Sequence, residues 1–154
     1  MNIYLAGPCD SEHRSLMMNI KQEIIKIFKN DNLYCPFELK IPDAWNYSSE
    51  IWSQKVFDAD IKAMNNSDFM IVISYGRISS TGTGWEQGYM WAKEKPIFVL
   101  QVNNNSTSLM TYCGCKNFYN VSENIQEISD ALKFIAQNYN KTNLLKKQCM
   151  TVLT

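Results

Sequence analysis

Residues 69–75 read FMIVISY and residues 76–86 read GRISSTGTGWE, and this stretch decides how the rest of the chain is read. The first half is a continuous apolar run of strand length with no polar alternation, the pattern of a strand covered on both faces. In the second half, glycine and small hydroxyl residues break the run. Helical spacing then follows over about 84–94. Strand, glycine-rich turn and helix in that order form the repeating unit of a parallel, doubly wound sheet.

Working outward, the same alternation recurs. Residues 2–6 (NIYLA) are a short strand stopped by Gly7-Pro8, and Ile20, Ile24 and Ile27/Phe28 then fall on one helical face. A second strand is expected at 33–37 and a helix at 49–66. The run PIFVLQV at 96–102 is another strand buried on both faces, 103–107 is polar loop, and 118–121 fits an edge strand. Ile125, Ile128, Leu132 and Ile135 mark a last amphipathic helix, after which the polar tail of about 140–154 is a candidate arm onto a neighbouring subunit. Five strands with intervening helices, in one domain of 154 residues, predict a flavodoxin-like α/β fold with strand order 2-1-3-4-5. In such a sheet a ligand sits beyond the carboxyl ends of strands 1 and 3, so the segments 6–10 and 76–86 should flank the site.

Composition narrows the possible partners. The chain carries 15 Lys+Arg against 15 Asp+Glu, so no global field favours a nucleic acid polymer or an anionic membrane. No apolar run approaches the roughly 20 residues of a spanning helix, and no basic leader opens the sequence, so a soluble, cytoplasmic protein is expected. The five cysteines form an odd set without a CxxC pair, which argues against a disulfide framework and a zinc site. HExxH, EF-hand and clustered His/Cys patterns are absent too, so neither a metal nor a cofactor is expected.

The 76–86 segment is the first place to look for chemistry. Gly76, Gly82 and Gly84 permit positive φ and close approach of the backbone to a ligand, although the segment has neither a Walker ending nor a complete GxGxxG. Glu86, read as first-turn of its helix, should gain from the macrodipole and stay ionised, as a nucleophile must. Asp60 supplies a second carboxylate. It follows Trp52 and Val56 at spacings of four on a mainly apolar helix face, where a charge needs a partner or a task. Asp58 points elsewhere on the wheel and should be solvated, Asp68 suits a turn or cap, and the single His13 suits the surface or the vicinity of a phosphate. Trp85, beside Glu86, is placed to stack on a flat ring.

The opening IYLAGP at 3–8, Asp60 shortly before the SDFMIVI strand, and Gly82-Thr83-x-x-Glu86-x-Gly88-Tyr89 together resemble the nucleoside 2-deoxyribosyltransferase family over about residues 1–100. The resemblance implies a flavodoxin-like fold and a homo-oligomer with sites completed across subunits. It implies that Glu86 is the nucleophile on the anomeric carbon, that Asp60 contacts the base and helps protonate it, and that Tyr4 helps hold the glutamate. Gly7, Pro8, Gly82 and Thr83 would border the substrate, and Met110 would approach a neighbour's site. Substrates would be a nucleoside or nucleotide and a free nucleobase. One position departs from the family's D-x-G-T-x-x-E-x-G spelling: Ser80 stands where transferases carry aspartate. Related hydrolases of nucleoside 5′-monophosphates carry serine there, and Ser79, Ser80, Thr81, Arg14 and Arg77 could build a local phosphate site.

Overall fold

A computed structural model of the chain describes residues 1–29, 31–76 and 81–151, with residues 140–151 described by their backbone alone. Strands β1 (Asn2–Ala6), β2 (Asn32–Tyr34), β3 (Phe69–Ser74), β4 (Ile97–Gln101) and β5 (Asn117–Asn120) form a single parallel sheet in the order 2-1-3-4-5. The helices are α1 (Arg14–Ile27), α2 (Ser49–Asn66), α3 (Thr81–Ala92), α4 (Leu109–Gly114) and α5 (Ile125–Thr151). This is the flavodoxin-like arrangement read from the alternating pattern.

Every residue of β3 and β4 is buried, which is why their sequences run apolar without alternation. Successive side chains enter opposite layers. Ile3, Leu5, Ile71 and Ile73 pack on one side against Met17, Ile20 and Ile24 of α1 and Ile128, Leu132 and Ile135 of α5. Tyr4, Ala6, Met70 and Val72 pack on the other against Met64 of α2 and Met90 of α3. The second layer is the smaller, and Tyr4 carries a polar tip within it.

Boundaries moved where local chemistry outweighed the apolar pattern. The second strand ends at Tyr34 and not at 37, because Pro36 has no N–H to give a ladder and begins a 3-10 turn, Pro36–Glu38. Helix α3 starts at Thr81, earlier than the expected 84, so Gly82 and Gly84 are helical residues. Among the described residues Gly76 is the glycine with positive φ, at +69°; the expectation of a left-handed turn holds there and not at the other two. Helix α4 was not expected, and α5 continues past 140 to Thr151, through most of the segment read as a candidate arm. Val152–Thr154 lie outside the described residues. Among the described residues no helix is long and apolar enough to cross a membrane.

Gly76 sits where β3 leaves the sheet. The 103–107 loop closes over it: Gln101 Nε2 donates to the carbonyls of Asn103 (3.2 Å) and Asn105 (2.7 Å), and the Asn105 side chain donates to the Tyr75 carbonyl at 3.3 Å. A Cβ on Gly76 would meet the Ser106 carbonyl oxygen at 2.8 Å and Asn105 Cβ at 2.9 Å. Gly76→Ala therefore combines a left-handed penalty with a clash against a braced loop, and is expected to lower stability by about 2 kcal/mol. Chemical denaturation checks this; an unchanged midpoint would show that the loop yields.

Candidate active site

Tyr4 in the middle of β1 and Tyr34 at the end of β2 present two phenols side by side. Tyr4 is fully buried in the α2/α3 layer and its hydroxyl donates to Glu86 Oε1 at 2.7 Å. Tyr34, the last residue of β2, pairs in register with Tyr4; the rings stack with centroids 5.4 Å apart and an interplanar angle of 24°. Its hydroxyl donates to Asp60 Oδ1 at 2.7 Å. Two carboxylates from different helices are thus each held by a tyrosine from the sheet.

Both carboxylates face open space. Asp60 and Glu86 line a cavity of about 400 Å³ between α2 and α3, walled by Trp52, Phe57 and Trp85. They also line a second one of about 330 Å³ that runs toward Gly7, Cys9, Phe37 and Thr83. Trp52, Val56, Gly82 and the two acids belong to both, so the cavities adjoin across the acid pair. The helix spacing that placed Asp60 in line with Trp52 and Val56 is what brings it there.

Burial sets the protonation of the pair. Desolvation pushes Glu86 up to about 7; the Tyr4 hydroxyl pulls it down and the neighbouring Asp60 charge adds to the rise. The expected lowering by the macrodipole is overturned: Glu86 is not in the first turn of α3, beyond which the dipole fades, and desolvation prevails. Asp60 is also raised by burial, with the Tyr34 hydroxyl opposing. Burial, followed by the carboxylates, raises both phenols above their ordinary range, so they remain protonated donors. Burial thus favours the protonated form of both acids, and the charge on Asp60 further favours the proton on Glu86.

The other expected residues are distributed as follows. A Cβ on Gly7 would lie 2.8 Å from Met17 Cε and 3.2 Å from Ile73 Cβ, so a larger residue would have to displace the end of the Met17 side chain; the Gly7 carbonyl accepts from Thr83 Oγ1 at 3.5 Å. Pro8 follows, half-buried. Gly82 has nothing within 4 Å of an added Cβ and keeps the cavity wall open. Met110 is not brought to the acids of its own chain: it is 83% exposed on α4 and lines a separate cavity of about 480 Å³ with Gly84, Gly88 and Trp91. Ser80, Ser79 and Arg77 lie outside the described residues, whereas Thr81 and Arg14 are exposed.

Asp58 is exposed and accepts from Gln54, and Asp68 accepts from the Asn2 backbone N–H at 2.7 Å, tying strand ends together and capping no helix. His13 sits before α1 with Nδ1 2.8 Å from Asp10 Oδ1 and its ring 4.3 Å from that of Tyr75. With Glu12 the two form a group, its acids exposed and His13 half-buried, whose ligand-capable atoms lie within 4.8 Å of one another. Trp85 stacks on Tyr89 and tilts against Phe57, half exposed. Tyr34, Cys9 and Phe37 were missed by the reading of the sequence. The register of two adjacent strands ending in tyrosine was the available signal for Tyr34; the other two depend on how the chain bends after Gly7 and Pro36.

The comparisons with known proteins agree with this picture. The fold resembles a 2-deoxyribosyltransferase from Bacillus psychrosaccharolyticus at 22% identity, covering 82% of this chain and 89% of that one, with a TM-score of 0.66. A conserved protein from Enterococcus faecalis V583 is similar at 21% identity, 83% and 96% coverage and a TM-score of 0.67. A CMP N-glycosidase from Clostridium botulinum is similar at 18% identity, 86% and 98% coverage and a TM-score of 0.58. No curated protein sequence matches the chain. The model of the family described as nucleoside 2-deoxyribosyltransferase matches residues 3–144, from the first strand into the last helix, and the chain therefore belongs to that family.

Proposed function

We propose that the protein cleaves the N-glycosidic bond of a 2′-deoxynucleoside and transfers the deoxyribosyl group to another nucleobase. The observation that carries this reading is the pair of tyrosine-held acids, Glu86 and Asp60, at the common wall of two adjoining cavities. Ionised Glu86 attacks the anomeric carbon as the C–N bond breaks; the bond's electron pair leaves with the base and Asp60 gives that base a proton. A second base then attacks the glycosyl ester, returning its proton to Asp60 and freeing Glu86. No step requires a cofactor. Gly7, Pro8, Gly82 and Thr83 border the sugar, and exposed aromatic faces of Trp52 and Trp85 suit a flat base.

A second reading has one specific observation in its favour. Ser80 replaces an aspartate that would repel a 5′-phosphate, which suits hydrolysis of a nucleoside or deoxynucleoside 5′-monophosphate to free base and sugar phosphate. Water would then take the place of the second base at the same ester. In either case Met110, exposed on α4, is available to a neighbouring subunit's site in a homo-oligomer.

The two readings separate on product analysis. The protein is incubated with a deoxynucleoside plus a second base and, in parallel, with a deoxynucleotide alone, and products are resolved by chromatography. Base exchange in the first reaction is the expected result. Free base and sugar phosphate from the second reaction alone would transfer the assignment to the hydrolase, and no product in either would remove both.

A further inference from the structure

Two acids at one cavity wall compete for the same protons, because the charge on each favours protonation of the other. Here each has its own phenol. Tyr4 donates to Glu86 and Tyr34 donates to Asp60, both at 2.7 Å. The phenols come from adjacent strands in register and their rings stack, so the sheet fixes the separation of the two donors. Tyr34 occupies only Oδ1 of Asp60, which leaves Oδ2 for a ligand.

We infer that Tyr34 is a positioning residue that acts through Asp60: its hydroxyl fixes the carboxyl group by Oδ1, so that Oδ2 is the oxygen that delivers the proton to the departing base. The inference rests on the proton-donor role proposed for Asp60. As the C–N bond breaks, its electron pair goes to the base, the proton passes from Oδ2 to that base, and a carboxylate is left on Asp60. The Tyr34 O–H already points at that carboxylate and strengthens as its charge grows. Among the described residues, the other titratable groups in electrostatic contact with Asp60 are Tyr4 on β1, Glu86 on α3 and Cys9 after β1. Burial raises the Cys9 thiol and keeps it neutral, whereas the Glu86 carboxyl, raised to about 7, changes charge near neutral pH.

Tyr34→Phe keeps the ring and its stack while removing one O–H, and two measurements test the inference. In a carbon-13 NMR titration of the side-chain carboxyls, Tyr34→Phe is expected to move the Asp60 midpoint up by about one pH unit and Glu86 by less. In base-release assays the same variant should lower kcat about tenfold with little change in KM, and cause almost no further loss in an Asp60→Asn background. An unmoved Asp60 titration, or losses that multiply in the double variant, would overturn the inference and leave Tyr34 as packing. A fully active Asp60→Asn variant would instead remove the proton-donor role, and the titration would still report whether Tyr34 governs that carboxyl.

Discussion

Glu86→Ala is expected to abolish turnover, by about a thousandfold or more, while the protein stays folded. The loss is that large because the carboxylate is proposed to form a bond and not only to stabilise charge; nothing else described at the wall replaces it, since the remaining acid, Asp60, is held by Tyr34 on a different helix. Folding should survive, because Glu86 belongs to neither apolar layer and its partner, the Tyr4 hydroxyl, can be satisfied by water entering the vacated space. Two readouts are needed. Mass spectrometry of the wild type with a deoxynucleoside and no acceptor should reveal a deoxyribosyl adduct that maps to position 86, and Glu86→Ala should form none. A variant with ordinary turnover, or an adduct on another residue, would place the nucleophile elsewhere.

How much of this was legible in the sequence depends on what each feature rests on. β3 and β4 were readable because burial on both faces writes itself as uninterrupted apolar sequence, and the order 2-1-3-4-5, expected as the doubly wound arrangement that suits five strands in a chain of this size, is the one observed. Asp60 was readable because a charge in line with Trp52 and Val56 violates a helical pattern. The protonation of Glu86 was not. Its position near a helix start suggested ionisation, whereas its state follows from burial and from the neighbouring Asp60 charge, which no local spacing records. Tyr34 escaped for a related reason: a tyrosine ending a short edge-side strand looks like packing until Asp60, 26 residues later, is seen to accept its hydrogen bond. Met110 marks the opposite limit: it lies exposed on α4, outside the acid cavity of its own chain.

The raised Glu86 carboxyl has a consequence for stability that is separable from catalysis. Its midpoint moves from 4.5 to about 7 on folding, so the native state holds the proton more tightly than the unfolded chain. Below about pH 4.5 both states are protonated and the contribution to stability is complete. As pH rises toward 7 the unfolded chain ionises first, and the contribution is lost; above 7 burying the ionised carboxylate costs about 3 kcal/mol relative to acid conditions. Glu86→Gln retains an oxygen that can accept from Tyr4 but has no charge to desolvate. The variant is therefore expected to be more stable than the wild type at pH 8 by up to about 3 kcal/mol, and to lose that advantage by pH 4. Urea denaturation at pH 4, 6 and 8 checks the trend, and an equal difference at all three values would mean that the substitution acts through packing. The same titration gives catalysis the opposite slope: turnover should climb with pH through about 7, as the nucleophile loses its proton, over the interval in which the fold gives up stability. A group kept in the native state at that expense, and dispensable to the fold, is one that selection on stability alone would have replaced.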